Sequence, residues 1–408
     1  MMRAQLGKSL LVLGLAGLGF PLFRCSAQSA ERVKRIRVDP ERAGGGPLSR
    51  FIDSVQFIPL ERRKECQVRS IFQVETTEGY VVFLDKAVGA VFVFTREGLF
   101  RARVNIGPTV FGFSLDGHKD EITIDEYPDT KVYDLEGKLV RKTVIGLRPH
   151  NELGVSRRTL APGCTAYVNT NLVTGPDSLI YSLLVYKDGR LSGRYLPYPA
   201  NYRLDQWDQV GPINFATGPD AVDSGVYYMR NYDYTVYRLT PSALRPAYQF
   251  IFPLQESVPG DFMTDTGYNG RRTAFFSKKE NGDCIRRLYH FSRVGDMLFF
   301  SEGRHSYVLD TRQQVLVGVN RLIPDSLSFF LPLTDSQTDS LKKEVYLNAG
   351  GGDAWFQCSP AGLLEGWKVN RNKKVHYPAA LEKYFNEGGP VTDRNPVLVR
   401  VRFKSSFQ

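Results

Sequence analysis

Histidine and acidic side chains are the residues of this chain that could carry out acid–base or metal chemistry. The histidines show neither an H-E-x-x-H motif nor a pair at the helical spacing of a metal site. They are His118, His150, His290, His305 and His376. His118 lies in a polar turn whose carboxylates, Asp116, Asp120 and Glu121, could contact calcium. A calcium-binding loop needs acidic residues at alternate positions, and this turn lacks that pattern. We therefore favour a solvated turn and expect no metal and no cofactor.

Motifs for nucleophilic or phosphate chemistry are absent. The chain has no G-x-S-x-G elbow. The glycine run at residues 349–353 lacks both the G-K-[ST] of a phosphate loop and a dinucleotide fingerprint. Residues 321–324 superficially resemble the R-I-P stretch of sialidases, but the repeated S-x-D-x-G-x-T-W box is missing. Since a fold can still bring two carboxylates across a glycosidic bond, a carbohydrate-active lyase or hydrolase is the alternative function, with no catalytic residue assigned.

Aromatic residues in loops rich in Pro and Asn are the candidate ligand contacts. Amphipathic rings on a rigid scaffold suit contact with sugars or peptides, although the same rings could simply pack the loops. The predicted binding residues are Tyr198, Tyr202, Trp207, Tyr232 and Tyr234. The sequence therefore predicts a binding module for a glycan, a peptide or an envelope-protein partner, with the inserts at residues 194–207 and 260–283 shaping the binding face.

The first 27 residues are predicted to be a signal peptide. Arg3 and Lys8 precede an uncharged apolar run at residues 10–23, which is too short to span a bilayer comfortably. Cleavage after Ala27 competes with lipidation of Cys25, which an arginine directly before the cysteine disfavours. We expect an exported protein of the periplasm, outer membrane or cell surface, attached to a membrane only if Cys25 carries a lipid.

Charge and cysteine content bear on nucleic-acid binding and on disulfide formation. The formal net charge is +10, but the basic residues are scattered in short groups and form no stripe of the kind that binds nucleic acid. Four cysteines follow the signal, Cys66, Cys164, Cys284 and Cys358. They allow three pairings, and both disulfides and buried free thiols stay open. We expect a monomer.

A repeated strand–turn–strand phrase predicts the architecture that positions these residues. Each copy centres on an aromatic or valine followed by a charged or polar turn, and the copies centre on Phe94, Tyr133, Tyr186, Tyr237 and Val308. A period of about 40–50 residues with four strands per unit is typical of a β-propeller blade. A two-sheet sandwich array is the alternative.

The ends of the chain are predicted to complete a sixth unit. The strand at residues 51–60 has no partner in its own unit, and we expect it to pair beside residues 397–403 and close the ring. Residues 28–50 are predicted to be a linker, residues 51–408 the propeller, and residues 327–343 a helical insert. Shorter helical turns are predicted at residues 360–367 and 381–385.

These patterns resemble a known family. The opening at residues 51–61, the phrases at 84–94 and 133–138, the segment at 226–239 and the closing 395–399 are similar to the six-bladed β-propellers abundant in Bacteroidetes, related to NHL-repeat and TolB-like propellers. The resemblance implies an all-β fold of six four-stranded antiparallel blades with the ring closed by the N-terminal strand. It carries no catalytic set, since most members of the family have no assigned function.

Overall fold

A computed structural model describes residues 33–107, 112–116, 119–126, 129–144, 157–168, 177–199, 202, 215, 225–303, 305–337, 348–350 and 353–407. Within these ranges the chain is a six-bladed β-propeller. We number the blades 1 to 6 in chain order and the strands of each blade from the axis outward.

The N-terminal segment contributes three strands to three different blades. They are β1 (Lys34–Arg37), β2 (Gly44–Pro47) and β3 (Ile52–Pro59), with the short helix α1 (Leu48–Phe51) before β3. The strand β1 runs parallel to the outer strand of blade 4, β2 runs parallel to the outer strand of blade 5, and β3 is itself the outer strand of blade 6.

The remaining strands follow in chain order. Blade 1 contains β4 (Ile71–Thr76), β5 (Tyr80–Asp85), β6 (Ala90–Thr95) and β7 (Phe100–Asn105). Blade 2 contains β8 (Ser114–Asp116), β9 (Glu121–Glu126), β10 (Asp129–Asp134) and β11 (Leu139–Val144). Blade 3 contains β12 (Arg157–Ala161), β13 (Cys164–Val168), β14 (Tyr181–Lys187) and β15 (Arg190–Pro197).

Blade 4 contains β16 (Val226–Tyr228), β17 (Thr235–Leu239) and β18 (Leu244–Ile251). Phe215 bridges to Tyr228 on the axial side of β16, where the other blades have their first strand. Blade 5 contains β19 (Tyr289–Val294), β20 (Met297–Ser301), β21 (Ser306–Asp310) and β22 (Val315–Ile323). Blade 6 contains β23 (Asn348–Gly350), β24 (Asp353–Cys358), β25 (Val397–Phe403) and then β3.

The repeated phrase corresponds to one position in the blade. Phe94, Tyr133, Tyr186, Tyr237 and Val308 all lie in the third strand of their blades, in β6, β10, β14, β17 and β21. The charged or polar residues after each of them form the turn to the fourth strand. The predicted repeat is therefore confirmed.

The two ends of the chain close the ring, as predicted. The strand β25 pairs antiparallel with β3 from Val397↔Pro59 to Phe403↔Ile52. Asn395 is 2 % exposed and reinforces this closure, because its side-chain amide donates to Glu61 O and Cys66 O while its Oδ1 accepts from the backbone N–H of Val68. The side chain of a residue just before β25 thus fixes the connection that leads into blade 1.

The segment expected to be a linker is structured from Val33 onward. Arg321, at the end of β22, holds it by donating through Nη1 to Glu41 O at 2.8 Å and Ala43 O at 2.5 Å, and through Nη2 to Pro40 O at 3.2 Å. Exposed Lys34, Arg35 and Arg37 occupy the free edge of β1. Charged residues on an edge strand discourage pairing with other chains.

The apolar core lies between successive blades. Between blades 6 and 1, Trp355 and Leu398 pack with Phe83, Phe92 and Phe94, and comparable clusters fill the blade 1–2, 3–4, 4–5 and 5–6 seams. Because each sheet buries both faces against its neighbours, the aromatic residues of the repeated phrase belong mainly to the core.

The longer helices lie in the loop that joins β24 to β25. They are α3 (Pro360–Val369) and α4 (Ala379–Asn386), and they confirm the two predicted helical turns, while α2 (Arg272–Ser277) follows blade 4. One-turn 3-10 helices in the described part of the chain lie at Pro40–Arg42, Leu254–Glu256, Thr266–Tyr268, Lys279–Asn281, Ser326–Ser328, Asp335–Gln337 and Val391–Asp393. The helix expected at residues 327–343 is absent from its described part, residues 327–337, where Phe329 and Phe330 both have φ of 56° and interrupt any helix.

All four cysteines after the signal segment are free thiols. Cys66, Cys164 and Cys358 are buried, and burial raises the pKa of Cys66 and Cys164. A raised thiol pKa lowers the reactive thiolate fraction, so these residues act as small apolar side chains. In the described ranges, no helix has both the length and the apolar character that crossing a membrane requires.

We predict that Gly45→Ala destabilises the protein. A Cβ atom at Gly45 would lie no more than 3.0 Å from the O, C and Cβ atoms of Arg321, so β2 would have to move off blade 5. Such overpacking costs about 1–3 kcal/mol. The free energy of unfolding from urea titration measures the effect. Gly79→Ala is the matched control, since a Cβ there meets no atom within 4 Å. Equal stability of the two variants would contradict the tight packing of β2.

Candidate functional site

The candidate site lies on one face of the ring, which we call the loop face. Strands within a blade alternate in direction, so the loops between second and third strands and the connections between blades lie on the same side. The turns between first and second strands and between third and fourth strands lie on the opposite side, the turn face. The predicted binding residues belong to the connections and loops around blades 3, 4 and 5.

Tyr198 and Tyr202 form a stacked pair just after β15. Their ring centroids are 4.8 Å apart with an interplanar angle of 28°. The guanidinium carbon of Arg272, the first residue of α2, lies 4.1 Å from the centroid of Tyr202. Arg272 is fully buried and donates to Phe262 O and Asn269 Oδ1. Tyr202 is therefore part of a rigid support, and the half-buried Tyr198 keeps accessible surface.

Tyr232 packs on the segment that joins blade 4 to blade 5. It lies in the loop between β16 and β17 with φ of 60°, and its backbone N–H donates to Arg286 O at 2.7 Å. Its ring contacts Phe262 at 4.9 Å and Phe276 at 5.9 Å between centroids. The insert at residues 260–283 thus has a small aromatic core of its own, on which the half-buried Tyr232 rests.

Tyr234 is held by the protein itself. Its hydroxyl donates to Ile285 O at 2.7 Å and accepts from the backbone N–H of Val258 at 2.9 Å, and its ring packs against Phe252. Burial raises the pKa of Tyr234 to about 12. These contacts support a packing role. Trp207 and Cys25 lie outside the described residues.

A partly buried ion pair beside Tyr232 was not anticipated from the sequence. Arg230 Nε donates to Asp233 Oδ2 at 2.9 Å, and Tyr237 OH donates to the same oxygen at 2.8 Å. Asp233 Oδ1 accepts from the backbone N–H of Thr235. Burial is the largest single influence and lowers the pKa of Arg230, but the charge and hydrogen bond of Asp233 together with Tyr237 and Tyr198 outweigh it, so the net direction is upward. Among the described residues, the buried Nη1 of Arg230 has no hydrogen-bond acceptor.

Further arginines border the same loop. Arg287 Nη1 donates to Asn231 Oδ1 at 3.4 Å and its guanidinium lies 4.2 Å from the Tyr289 ring, while the exposed Arg286 lies over Phe276. A sequence signal for this group existed in the polar run Arg230–Asp233 between two strand patterns, but its approach to residues 286–289 depends on the tertiary fold.

His290 lies in the innermost strand of blade 5 and has φ of 48°. Protein surrounds its side chain, although the residue keeps some accessible surface, as expected beside the axial space. Burial, followed by the positive charge of Arg287, lowers the pKa of His290 to about 4. The imidazole is therefore neutral at neutral pH.

An ion pair also links two of the other innermost strands. Arg158 Nη1 in β12 lies 3.2 Å from Glu75 Oε1 in β4, and Glu75 Oε2 accepts from the backbone N–H of Leu115 in β8. This carboxylate joins the first three blades near the axis. Within the described ranges no group of three His, Cys, Asp or Glu side chains is arranged to hold a metal ion.

Comparison with known proteins gives the family. A family profile, DUF5128, described as a 6-bladed beta-propeller, matches residues 26–321. The chain belongs to this family. No curated protein sequence matches it.

Solved structures resemble this chain at low sequence identity. A Bacteroides fragilis NCTC 9343 protein that is described as exported shares the fold, with a TM-score of 0.62 and 13 % identity, covering 91 % of this chain and 100 % of its own. A member of the duf4221 family from Bacteroides vulgatus has a TM-score of 0.47 and 11 % identity, covering 86 % and 97 %. Virginiamycin B lyase from Staphylococcus aureus has a TM-score of 0.38 and 11 % identity, covering 86 % and 98 %. At these identities the likeness concerns the fold alone.

We predict that His290 makes folding stability fall as the pH is lowered from about 6.5 to about 4. The unfolded chain takes up a proton near pH 6.5 while the folded chain resists it until about pH 4, so protons favour unfolding in this window. The loss is about 3 kcal/mol at most. His290→Asn should flatten this part of the urea-derived stability profile, since asparagine tolerates a positive φ.

His376→Asn is the matched control because His376 is exposed. We expect it to keep the wild-type pH dependence. An unchanged profile in His290→Asn would contradict a buried neutral imidazole.

Proposed function

We propose that this protein is an exported binding module whose ligand contacts the loop face over blades 3, 4 and 5. The ligand is a glycan, a peptide or an envelope-protein partner. The observation that carries the proposal is the accessible Tyr198 ring stacked on a Tyr202 ring that Arg272 fixes from beneath. A preorganised aromatic ring gives contact area at little entropic cost on binding.

Neighbouring groups support a mixed aromatic and cationic surface. Tyr232 is half-buried, Arg286 is exposed and Arg287 is half-buried. Each arginine lies against an aromatic ring, which limits the side-chain entropy that a ligand contact would cost. Arginine and tyrosine are the residue types enriched where proteins recognise partners.

We infer export from the N-terminal sequence. Residues 1–27 have the charge, apolar run and small residues of a signal peptide. The structurally similar Bacteroides fragilis protein is described as exported, which agrees with this inference. If Cys25 carries a lipid, that lipid would attach the chain to a membrane.

The alternative function is a carbohydrate-active lyase or hydrolase with its site at the axis. The observation that favours it is the neutral His290 in an innermost strand with a positive φ, since strained backbone is concentrated at functional sites. Against it, Glu75 is already engaged by Arg158 and by a backbone N–H.

We predict that Tyr198→Ala weakens glycan or peptide binding about tenfold, the effect of losing roughly 1.4 kcal/mol of contact energy. The purified mature chain is applied to an array of neutral and acidic glycans and of peptides, and the dissociation constant of the best probe is measured by calorimetry. Recovery of a shortened glycan would favour the enzyme alternative.

Tyr167→Ala is the matched control. Tyr167 is half-buried in β13 of the same blade and makes an edge-to-face pair with Tyr186 at 5.5 Å. The Tyr167→Ala variant should bind the probe with the dissociation constant of the wild type. Equal losses in both variants would indicate a general effect on blade 3 and would contradict a Tyr198 contact.

We predict that the native protein begins at Gln28. Cleavage after Ala27 leaves this N-terminus, and Arg24 disfavours the lipoprotein route. Mass spectrometry of the protein purified from its own host identifies the N-terminal residue. A diacyl or triacyl mass on Cys25 would instead establish a lipid anchor, and an intact residue 1 would contradict export by a cleaved signal.

A further inference from the structure

A second cluster of charged residues lies on the turn face, between blades 6 and 1. Arg96 comes from the turn between β6 and β7, while Asp353 and Trp355 lie in β24 and Arg400 and Arg402 in the neighbouring β25. The loop-face residues take no part in it, so any role of this cluster is independent of the function proposed above.

Two of these arginines share one aromatic ring. The guanidinium carbons of Arg96 and Arg400 lie 5.4 Å and 5.9 Å from the centroid of Trp355. Trp355 is 1 % exposed, and its buried indole Nε1 has no hydrogen-bond acceptor among the residues that the structure describes. The guanidinium groups of Arg96 and Arg400 therefore both lie against the buried indole ring of Trp355.

The buried carboxylate of Asp353 pairs with both Arg400 and Arg402 of blade 6. Arg400 contacts Asp353 Oδ2 through Nε at 2.6 Å and through Nη2, and Arg402 Nε contacts Asp353 Oδ1 at 3.1 Å. The Asp353 side chain is 4 % exposed, while those of Arg400 and Arg402 are 30 % and 55 % exposed. Asp353 orients both guanidinium groups but neutralises only one charge.

The backbone fixes Arg96. Its Nε and Nη2 donate to Thr77 O, and its N–H donates to Gly79 O at 3.1 Å. Gly98 in the same turn has φ of 88°, and a Cβ there would lie no more than 3.2 Å from Pro59 O and C. The turn is thus pressed against the outer strand of blade 6, which leaves Arg96 little freedom.

The positive charge exceeds what the neighbouring residues offset. Burial, and second the nearby charge of Arg400, lower the pKa of Arg96. Besides Asp353, the carboxylate of the exposed Glu97 acts on the charge of Arg96. Partly buried like charges are unfavourable unless an opposite charge joins them. In the described part of the chain, Nη1 of Arg96 and Nη1 of Arg400 have no acceptor.

We propose that this cluster is a binding site for a small oxyanion, which Nη1 of Arg96 and Nη1 of Arg400 bind together beside Trp355. Sulfate, phosphate and the carboxylate of an acidic sugar share this chemistry. Guanidinium groups form strong charge-assisted hydrogen bonds with such oxygens. The seam between the first and last blades then carries a site of its own, remote from the loop face.

Tryptophan fluorescence tests the proposal. The chain has three tryptophans, and Trp207→Phe with Trp367→Phe leaves Trp355 as the reporter. Sodium sulfate, sodium phosphate and sodium glucuronate are titrated separately at an ionic strength held constant with sodium chloride. We expect a saturable change in Trp355 emission for at least one anion, and the anion that binds tightest identifies the source chemistry.

Arg96→Gln should raise the dissociation constant at least tenfold, and Arg402→Gln, which removes only a neighbouring exposed cation, by a smaller factor. Arg101→Gln is the matched control, because Arg101 lies in β7 of the same blade and its side chain is 50 % exposed and paired with Glu136. It should bind the anion like the reporter protein.

The melting temperature of the wild-type chain in each salt gives a second measurement, which is independent of the tryptophan substitutions. An oxyanion that binds the folded state should raise it above the value in chloride, and Arg96→Gln should abolish the difference. No saturation and no shift, or equal responses in Arg96→Gln and the wild type, would overturn the proposal and leave the cluster as a structural contact between two blades.

Discussion

Closure of the ring between β3 and β25 is the constraint on which the other blades depend. A propeller buries each sheet against two neighbours, so one open seam would expose two apolar faces at once. Here β3 and β25 pair over Ile52–Pro59 and complete the sheet of blade 6. The buried amide of Asn395 then fixes the chain where it leaves β3 and enters blade 1. The parallel strands β1 and β2 extend the same N-terminal segment over blades 4 and 5, so the closure spans half of the ring.

A rigid ring of this kind separates structural from recognition residues. Most aromatic residues of the third strands are buried, among them Phe92, Phe94 and Tyr307, and their substitution affects stability. Tyrosines and arginines in the connections around blade 4 keep accessible surface and are held by rings beneath them, as in the stack of Arg272, Tyr202 and Tyr198. Preorganised side chains on such a scaffold need little rearrangement to bind a partner.

Much of the fold could be predicted because each blade repeats one local pattern. The alternation in β25 and the unpaired opening strand were sufficient to predict the closure. The parallel strand β2 was missed because Gly44, Gly45 and Gly46 carry no strand signal, and its pairing depends on Arg321, far away in sequence. A helix near residue 330 was expected from apolar spacing, but the left-handed φ of Phe329 and Phe330 overrides that pattern. The tyrosines were predicted as a group. The positions of Arg230 and Arg272 beside them could not be predicted, because they depend on tertiary contacts.

The position of β3 also has a consequence for the timing of folding. Its pairing partner is made about 340 residues later, so a strand that leaves the ribosome early is among the last to be paired. Such non-local pairing is slow, because a long loop must close before its contacts form. The unfinished ring meanwhile has free strand edges, which makes the nascent protein dependent on protection from aggregation until its final residues emerge.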